Sequence, residues 1–173
     1  MDVIADAAAI TKVTVYQHFK SKEDLFLQCL RWRLKNREAY LESRFAGKPA
    51  TVSRVLEIFD WVGEKATKGN FQGCAFLKAT NEMAGTLPEV RAVALQAKRL
   101  LRKRIVAMLC EARLPNAAVL GDTLALLIEG AQALSLIEQS KRPFKVAKRQ
   151  AQSLIAPFID RVSDLSASAR VEN

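Results

Sequence analysis

Residues that interrupt helices are scarce in this 173-residue chain: it holds seven glycines and five prolines. Alternating runs of β-branched residues are also rare, which disfavours strands and hairpins and predicts an all-α fold. The three cysteines, Cys29, Cys74 and Cys110, are odd in number, far apart and without C-x-x-C spacing. That pattern excludes a disulfide framework or zinc site as the organising device and fits a reducing cytoplasm. The single histidine, His18, has no carboxylate or nucleophile at a catalytic spacing, so no enzyme activity, no cofactor and no metal are expected. The longest apolar run, Leu124–Ile137, is interrupted by Glu129 and Gln132 and reads as a buried helix too short to span a bilayer. Asp2 and Asp6 follow Met1 closely, unlike a signal peptide.

What is present is apolar mass and positive charge. Half the residues are apolar and a quarter charged, the balance of a folded domain with one good core or two small ones. The net charge is +9. It is concentrated in residues 88–115, where seven Lys/Arg face two Asp/Glu, whereas residues 1–45 carry eight against six. Excess positive charge attracts polyanions without specifying which.

Helical periodicity divides the chain as follows. Met1–Ala8 is a short helix with Val3, Ile4, Ala7 and Ala8 as its apolar side. Ala9-Ile10-Thr11 is a tight turn into a second short helix. A long helix from Lys22 to Arg44 stops before Gly47 and Pro49. It shows two apolar stripes, one through Leu25, Cys29, Trp32, Asn36 and Ala39, the other through Leu27, Leu30, Leu34, Leu41 and Phe45, so it is expected to connect two domains. Further helices are expected over Thr51–Lys68, closed by Gly69-Asn70, then over Gly73–Ala84, Pro88–Arg113, Leu120–Gln139 after an N-cap at Asn116, and Pro143–Val162 with a bend at Pro157. The tail Ser163–Asn173 is expected to fray. Leu120–Gln139 is apolar on nearly every side and therefore needs cover all round, which predicts a subunit interface. Lys98-Arg99 and Arg102-Lys103-Arg104 fall opposite Leu101, Ile105 and Met108 and read as a solvated outer face.

The stretch Thr11–Lys22 carries the chemistry. Thr11 is a fitting N-cap, and Val15 and Phe19 share one face of the helix it starts. Lys12, Thr14, Tyr16, Gln17 and His18 fill the remaining surface, and each can donate a hydrogen bond. Ser21 stands three before Asp24, a capping-box-like start for the long helix. Short helix, tight turn and second short helix form the helix-turn-helix layout, whose second helix enters a DNA major groove. Gln17 suits a bidentate contact with adenine. His18 fits a phosphate or packing contact, and Tyr16 a phosphate or a thymine methyl.

Val3–Leu25, and above all Tyr-x-His-Phe-x-Ser-Lys-Glu-x-Leu from Tyr16 to Leu25, closely resembles the signature of TetR/AcrR-like (tetracycline-repressor-like) transcriptional regulators. Gly73-Cys74-Ala75-Phe76 and the helices after it look like the effector domain of one branch. The resemblance implies that Thr11, Lys12, Val13, Thr14, Tyr16, Gln17 and His18 face an operator in double-stranded DNA, and that Lys20 and Lys22 hold its phosphates. It divides the chain into a DNA-binding unit with its connector (1–45) and an effector-binding and dimerisation domain (46–173). It implies a ligand-responsive repressor, a homodimer joined through Leu126, Ala133, Leu136, Ile137, Ile155, Phe158 and Ile159, and a small-molecule effector. The candidate pocket takes Phe59, Phe71, Cys74, Phe76, Leu77, Thr80, Asn81, Leu101, Ile105, Met108, Leu127, Ile128 and Ala131. Cys74 is read equally as a small packed hydrophobe.

Two departures stand out. Ala9 occupies the place of the usual turn glycine, at a cost of about 1 kcal/mol if φ there is positive. The resemblance also implies a helix ahead of Val3, covering Val3, Ala7, Val15 and Phe19. Either the start codon is placed too late, or the chain was trimmed, or it is a defective binder. The alternative function is accordingly a small-molecule-binding helical dimer that has lost DNA binding.

Overall fold

A computed structural model describes the backbone of residues 1–48, 52–66 and 71–171, with side chains as far as Phe158. Every regular element among them is an α-helix: α1 Asp2–Ala7, α2 Lys12–His18, α3 Lys22–Phe45, α4 Val52–Lys65, α5 Ala75–Met83, α6 Glu89–Glu111, α7 Ala117–Glu138 and α8 Arg142–Val171. The all-α expectation therefore holds. Thr51, Lys68 and Gly69-Asn70 lie outside the described residues. The last helix runs on past Val162, because nothing after Pro157 in the chain is a glycine or proline that would stop it.

α6 is the spine. Its first half, Val90, Val93, Ala94 and Ala97, packs with Phe76 and Ala79 of α5 and with Leu27, Leu30 and Leu34 of α3. Its second half, Leu101, Ile105, Met108 and Leu109, enters the main core with α4, α7, α8 and the end of α3, Leu41 and Phe45. Of the two stripes expected on α3, only the leucine stripe is buried. Cys29, Trp32, Asn36 and Ala39 face solvent. The expected apolar side of α1 is corrected too: Ala5 is its buried residue, while Val3 is 81% exposed. A six-residue helix seated against α2 has one narrow side to bury.

The basic run on α6 is a solvated face only in part: Arg99, Arg102 and Lys103 are exposed, while Lys98 and Arg104 are half-buried. Acidic residues on neighbouring helices stand across from it. Arg104 donates to Glu38 (3.0 Å) and Glu42 (2.5 Å) of α3, Arg102 pairs with Asp122 of α7, and Lys98 pairs with Glu129 (2.5 Å) of α7. From the α3 side, Arg37 donates to the Ala97 carbonyl at 2.8 Å and lies over the Phe76 ring. α3 is thus held on α6 by leucines beneath and ion pairs above.

α7 buries Leu120, Gly121, Leu124, Ile128, Ala131 and Ser135 along one stripe. Its 22 residues have the length and apolarity of a bilayer span, yet this stripe sits in the main core. Its other side leaves Leu126 72% and Ile137 78% exposed. Asn116, at the start of α7, sits in the left-handed region and makes no side-chain cap bond.

At Gly121, α7 presses close against α6. A Cβ there would meet a methyl of Val106 at 2.5 Å. Gly121→Ala should therefore destabilise the protein by about 1–3 kcal/mol through overpacking, read from the denaturant midpoint. At the α3–α4 corner, Glu57 accepts from Arg44 and Lys48. Burial alone would raise its carboxyl, but the hydrogen bonds from Lys48 and Arg44 outweigh it and leave the group below its ordinary range. A depressed carboxyl stabilises the fold fully above its unfolded value of about 4.3, and that contribution is lost as pH falls through the folded value. Glu57→Gln should accordingly flatten the acid limb of stability below about pH 4 in denaturant titrations.

Candidate nucleic-acid interface

α1 ends in a Schellman motif. Ile10 N–H donates to the Ala5 carbonyl and Ala9 N–H to that of Asp6, both at 3.1 Å. This geometry places Ala9 at φ 54, the left-handed region that glycine fills without strain. The motif turns the chain into Thr11, whose hydroxyl accepts from Thr14 N–H at 3.1 Å and caps α2. The two threonine hydroxyls are themselves 2.8 Å apart. Val15 is buried beneath α2, and Phe19, its C-cap, is half-buried with extended backbone.

The opposite surface of α2 is open. Lys12, Val13, Tyr16, Gln17 and His18 are all exposed, with Thr14 half-buried at the edge. Lys12, Val13, Tyr16 and Gln17 share one face by their i, i+4 spacing. It offers an ammonium, a methyl pair, a phenol and an amide, the repertoire that reads phosphates, thymine methyls and adenine edges. Lys12 is paired with Asp2 at 3.1 Å.

α3 starts beside this face. Ser21 caps it by accepting from Asp24 N–H at 3.1 Å, as the Ser-x-x-Asp spacing predicts. The Asp24 carboxylate accepts from Gln28 (3.1 Å) and from the backbone N–H of Lys20 (3.0 Å), and these bonds, Gln28 first, hold it below the usual carboxylate range. Lys20 and Lys22 are exposed on either side of this helix N-terminus, where peptide N–H groups and ammonium groups favour a phosphate.

All nine residues expected to face DNA lie on α2, at its N-cap or at the start of α3, and all but Thr14 are exposed. The expected effector set is divided between the two cores and the surface. Phe59, Phe71, Leu101, Ile105, Met108, Ile128 and Ala131 lie in the main core, and Leu127 packs against it. Phe76 lies in the smaller core, with Cys74 packed against it. Leu77 and Asn81 face solvent, and the Thr80 hydroxyl bonds back to the Phe76 carbonyl. Cys74 accepts from Lys98 at 3.0 Å. Leu127 and Ala131 also line an apolar trough of about 400 Å³ between α7 and α8, with Leu126, Leu134 and Val146.

Of the expected dimer residues, Leu126, Ala133, Leu136 and Ile137 are exposed, and Phe158 is half-buried against the core. Ile155 is corrected: it is fully buried in the subunit's own core and has no surface to offer. The α8 stripe through Phe144, Ala147, Ala151 and Ile155 points inward, leaving Val146 and Leu154 outside. The side chain of Ile159 lies outside the described residues. Ser135, not among the expected residues, has a fully buried hydroxyl without a hydrogen-bond partner among the described residues. Its signal was its place on the 124, 128, 131 stripe.

Residues 51–150 match the family described as transcriptional regulator LmrA/YxaF-like, C-terminal domain, and residues 1–29 match bacterial regulatory proteins, tetR family. A TetR-family transcriptional regulator from Streptomyces coelicolor has a similar fold, with TM-score 0.82 at 21% identity over 91% of this chain and 84% of that one. The regulatory protein TetR from Rhodobacter sphaeroides aligns with TM-score 0.75 at 23% identity, covering 87% and 84%. A TetR transcriptional regulator from Chloroflexus aurantiacus gives 0.76 at 24%, covering 90% and 82%. No curated protein matches in sequence.

The turn geometry yields a test. Ala9→Gly should relieve roughly 1 kcal/mol of left-handed strain, slowing amide hydrogen exchange in α1 and α2. Thr11→Ala should act in the opposite sense by about 1 kcal/mol through loss of the cap.

Proposed function

This chain belongs to the tetR family of bacterial regulatory proteins, DNA-binding transcriptional regulators, and we propose that it is a dimeric repressor that releases its operator on binding a small apolar effector. The observation that carries the reading is the exposed strip from Thr11 to Lys22, in which base-edge donors on α2 adjoin two lysines at the start of α3. Tyr16 and Gln17 read bases, Lys20 and Lys22 hold phosphates, and Val13 meets a thymine methyl. The division at residues 45 and 46 separates reader and connector from the domain that answers the effector. On this reading the protein works in the cytoplasm on chromosomal DNA and catalyses no reaction.

Dimerisation takes the outer faces of α7 and α8. The trough between them and the exposed Leu126, Leu134, Ile137 and Val146 support this, since apolar surface of that extent favours cover by a second subunit. Two α2 helices related by that axis meet successive major grooves of a pseudo-palindromic operator. The effector enters the main core among Phe59, Leu101, Ile105, Met108 and Ile128. Further along the same buried stripe of α7, the Ser135 hydroxyl has no hydrogen-bond partner among the described residues, and an acceptor on a ligand reaching that end of α7 would remove a cost of about 1–3 kcal/mol. Such a ligand shifts DNA affinity only by its differential affinity for the DNA-fitting and non-fitting dimers.

Selection of bound duplexes from a random pool tests the reading. The expected product is an inverted repeat whose half-sites are bound about 10³-fold or more tighter than bulk DNA, with a preference that Gln17→Ala relaxes at one base position. Enrichment of no sequence contradicts it. Leu126→Asp should convert the dimer to monomers in sedimentation and weaken operator binding with it.

A further inference from the structure

Asp2 opens α1 and Lys12 opens α2, and their side chains meet across the turn. Lys12 Nζ lies 3.1 Å from Asp2 Oδ1 and 3.2 Å from Oδ2. Both are more than half exposed, so the pair contributes little to stability. Lys12 holds the Asp2 carboxyl below its usual range, chiefly through this hydrogen bond. Asp6 stands four residues further on, on the same side of α1, and α1 carries no cation of its own.

In a helix-turn-helix the first helix crosses the phosphate backbone while the second enters the groove. The acidic helix α1 therefore lies where a polyanion must pass, and its leading carboxylate occupies the ammonium that would otherwise bind a phosphate. We propose that Asp2 is a specificity-determining residue, a brake on non-specific DNA binding that releases Lys12 only where base contacts by the rest of α2 compensate. This rests on the reading that the Thr11–Lys22 strip faces DNA.

The physical consequence is a change in ion counting. A lysine that moves from solvent to a phosphate releases one condensed counterion, whereas one that must leave a carboxylate uncovers a negative charge beside the backbone. Removing the carboxylate restores a full phosphate contact on any sequence. Binding to random DNA then gains more than binding to the preferred site, where Lys12 is released already, and discrimination falls.

The test uses the full chain and two fluorescein-labelled duplexes, one of random sequence and one enriched by selection. Anisotropy titrations run from about 50 to 200 mM salt, the range over which phosphate contacts show. Asp2→Asn should bind the random duplex several-fold tighter than wild type, with a plot of log K against log salt steeper by about 0.9. The gain on the enriched duplex should be smaller, so the specificity ratio drops. In a background carrying Lys12→Gln, the gain from Asp2→Asn should largely vanish. An unchanged random-duplex affinity and slope overturns the brake, as does an equal gain with and without Lys12. If wild type and variant, with unaltered helical circular dichroism, bind neither duplex, the DNA reading falls and takes the brake with it.

Discussion

The docking of α3 on α6 is the interaction on which the other parts depend. Three leucines one and two turns apart, Leu27, Leu30 and Leu34, are pressed into α5 and the first half of α6. Above them Arg37 reaches the Ala97 carbonyl, and Arg104 reaches back to Glu38 and Glu42. Arg37, Arg104 and Glu38 are largely shielded from water, whereas Glu42 is exposed. Losing one partner would strand the others, which is far costlier than losing a solvated surface pair. The helix therefore has one well-defined seat. α2 and the Ser21–Asp24 cap are attached to its N-terminal end, so the seat sets where the DNA-reading surface points.

α6 touches both ends of the regulatory path. Its first half holds the connector, and its second half lines the main core in which an effector is proposed. On the proposed reading, a ligand that parted α6 from α7 or α4 would pull on the same helix that carries Ala97 and Arg104. Close packing at Gly121 against Val106 would make that helix hard to move by small amounts, so that core and connector would shift together.

The helix-turn-helix was legible in the sequence because its signals are local. Thr11 before Val15, Ser21 before Asp24 and the donors between them fix caps and faces within one or two turns. The left-handed Ala9 was legible as a question, since alanine stood where the turn prefers glycine. Tertiary choices were less readable. α3 offered two apolar stripes, and only contact with α5 and α6 selects the leucines over Trp32. Arg102 and Arg104 looked solvated because their partners lie 20 and more than 60 residues away in the chain. Ile155 and Leu154 are neighbours of equal hydrophobicity, and one residue of helical phase sends the first into the core and the second outward. The effector set was the hardest to read, since a pocket depends on several such phases at once.

The central claim is that the α3–α6 clasp aims the two α2 helices of the dimer. Electron–electron resonance distances between nitroxides at position 17 of each subunit test it, using Gln17→Cys in a background with Cys29, Cys74 and Cys110 replaced. The account predicts one narrow distance distribution in the otherwise unaltered chain. It predicts a clearly broadened one after Arg104→Ala, with helical content retained. A distribution already broad before that substitution, or one that Arg104→Ala leaves narrow and unmoved, would contradict it.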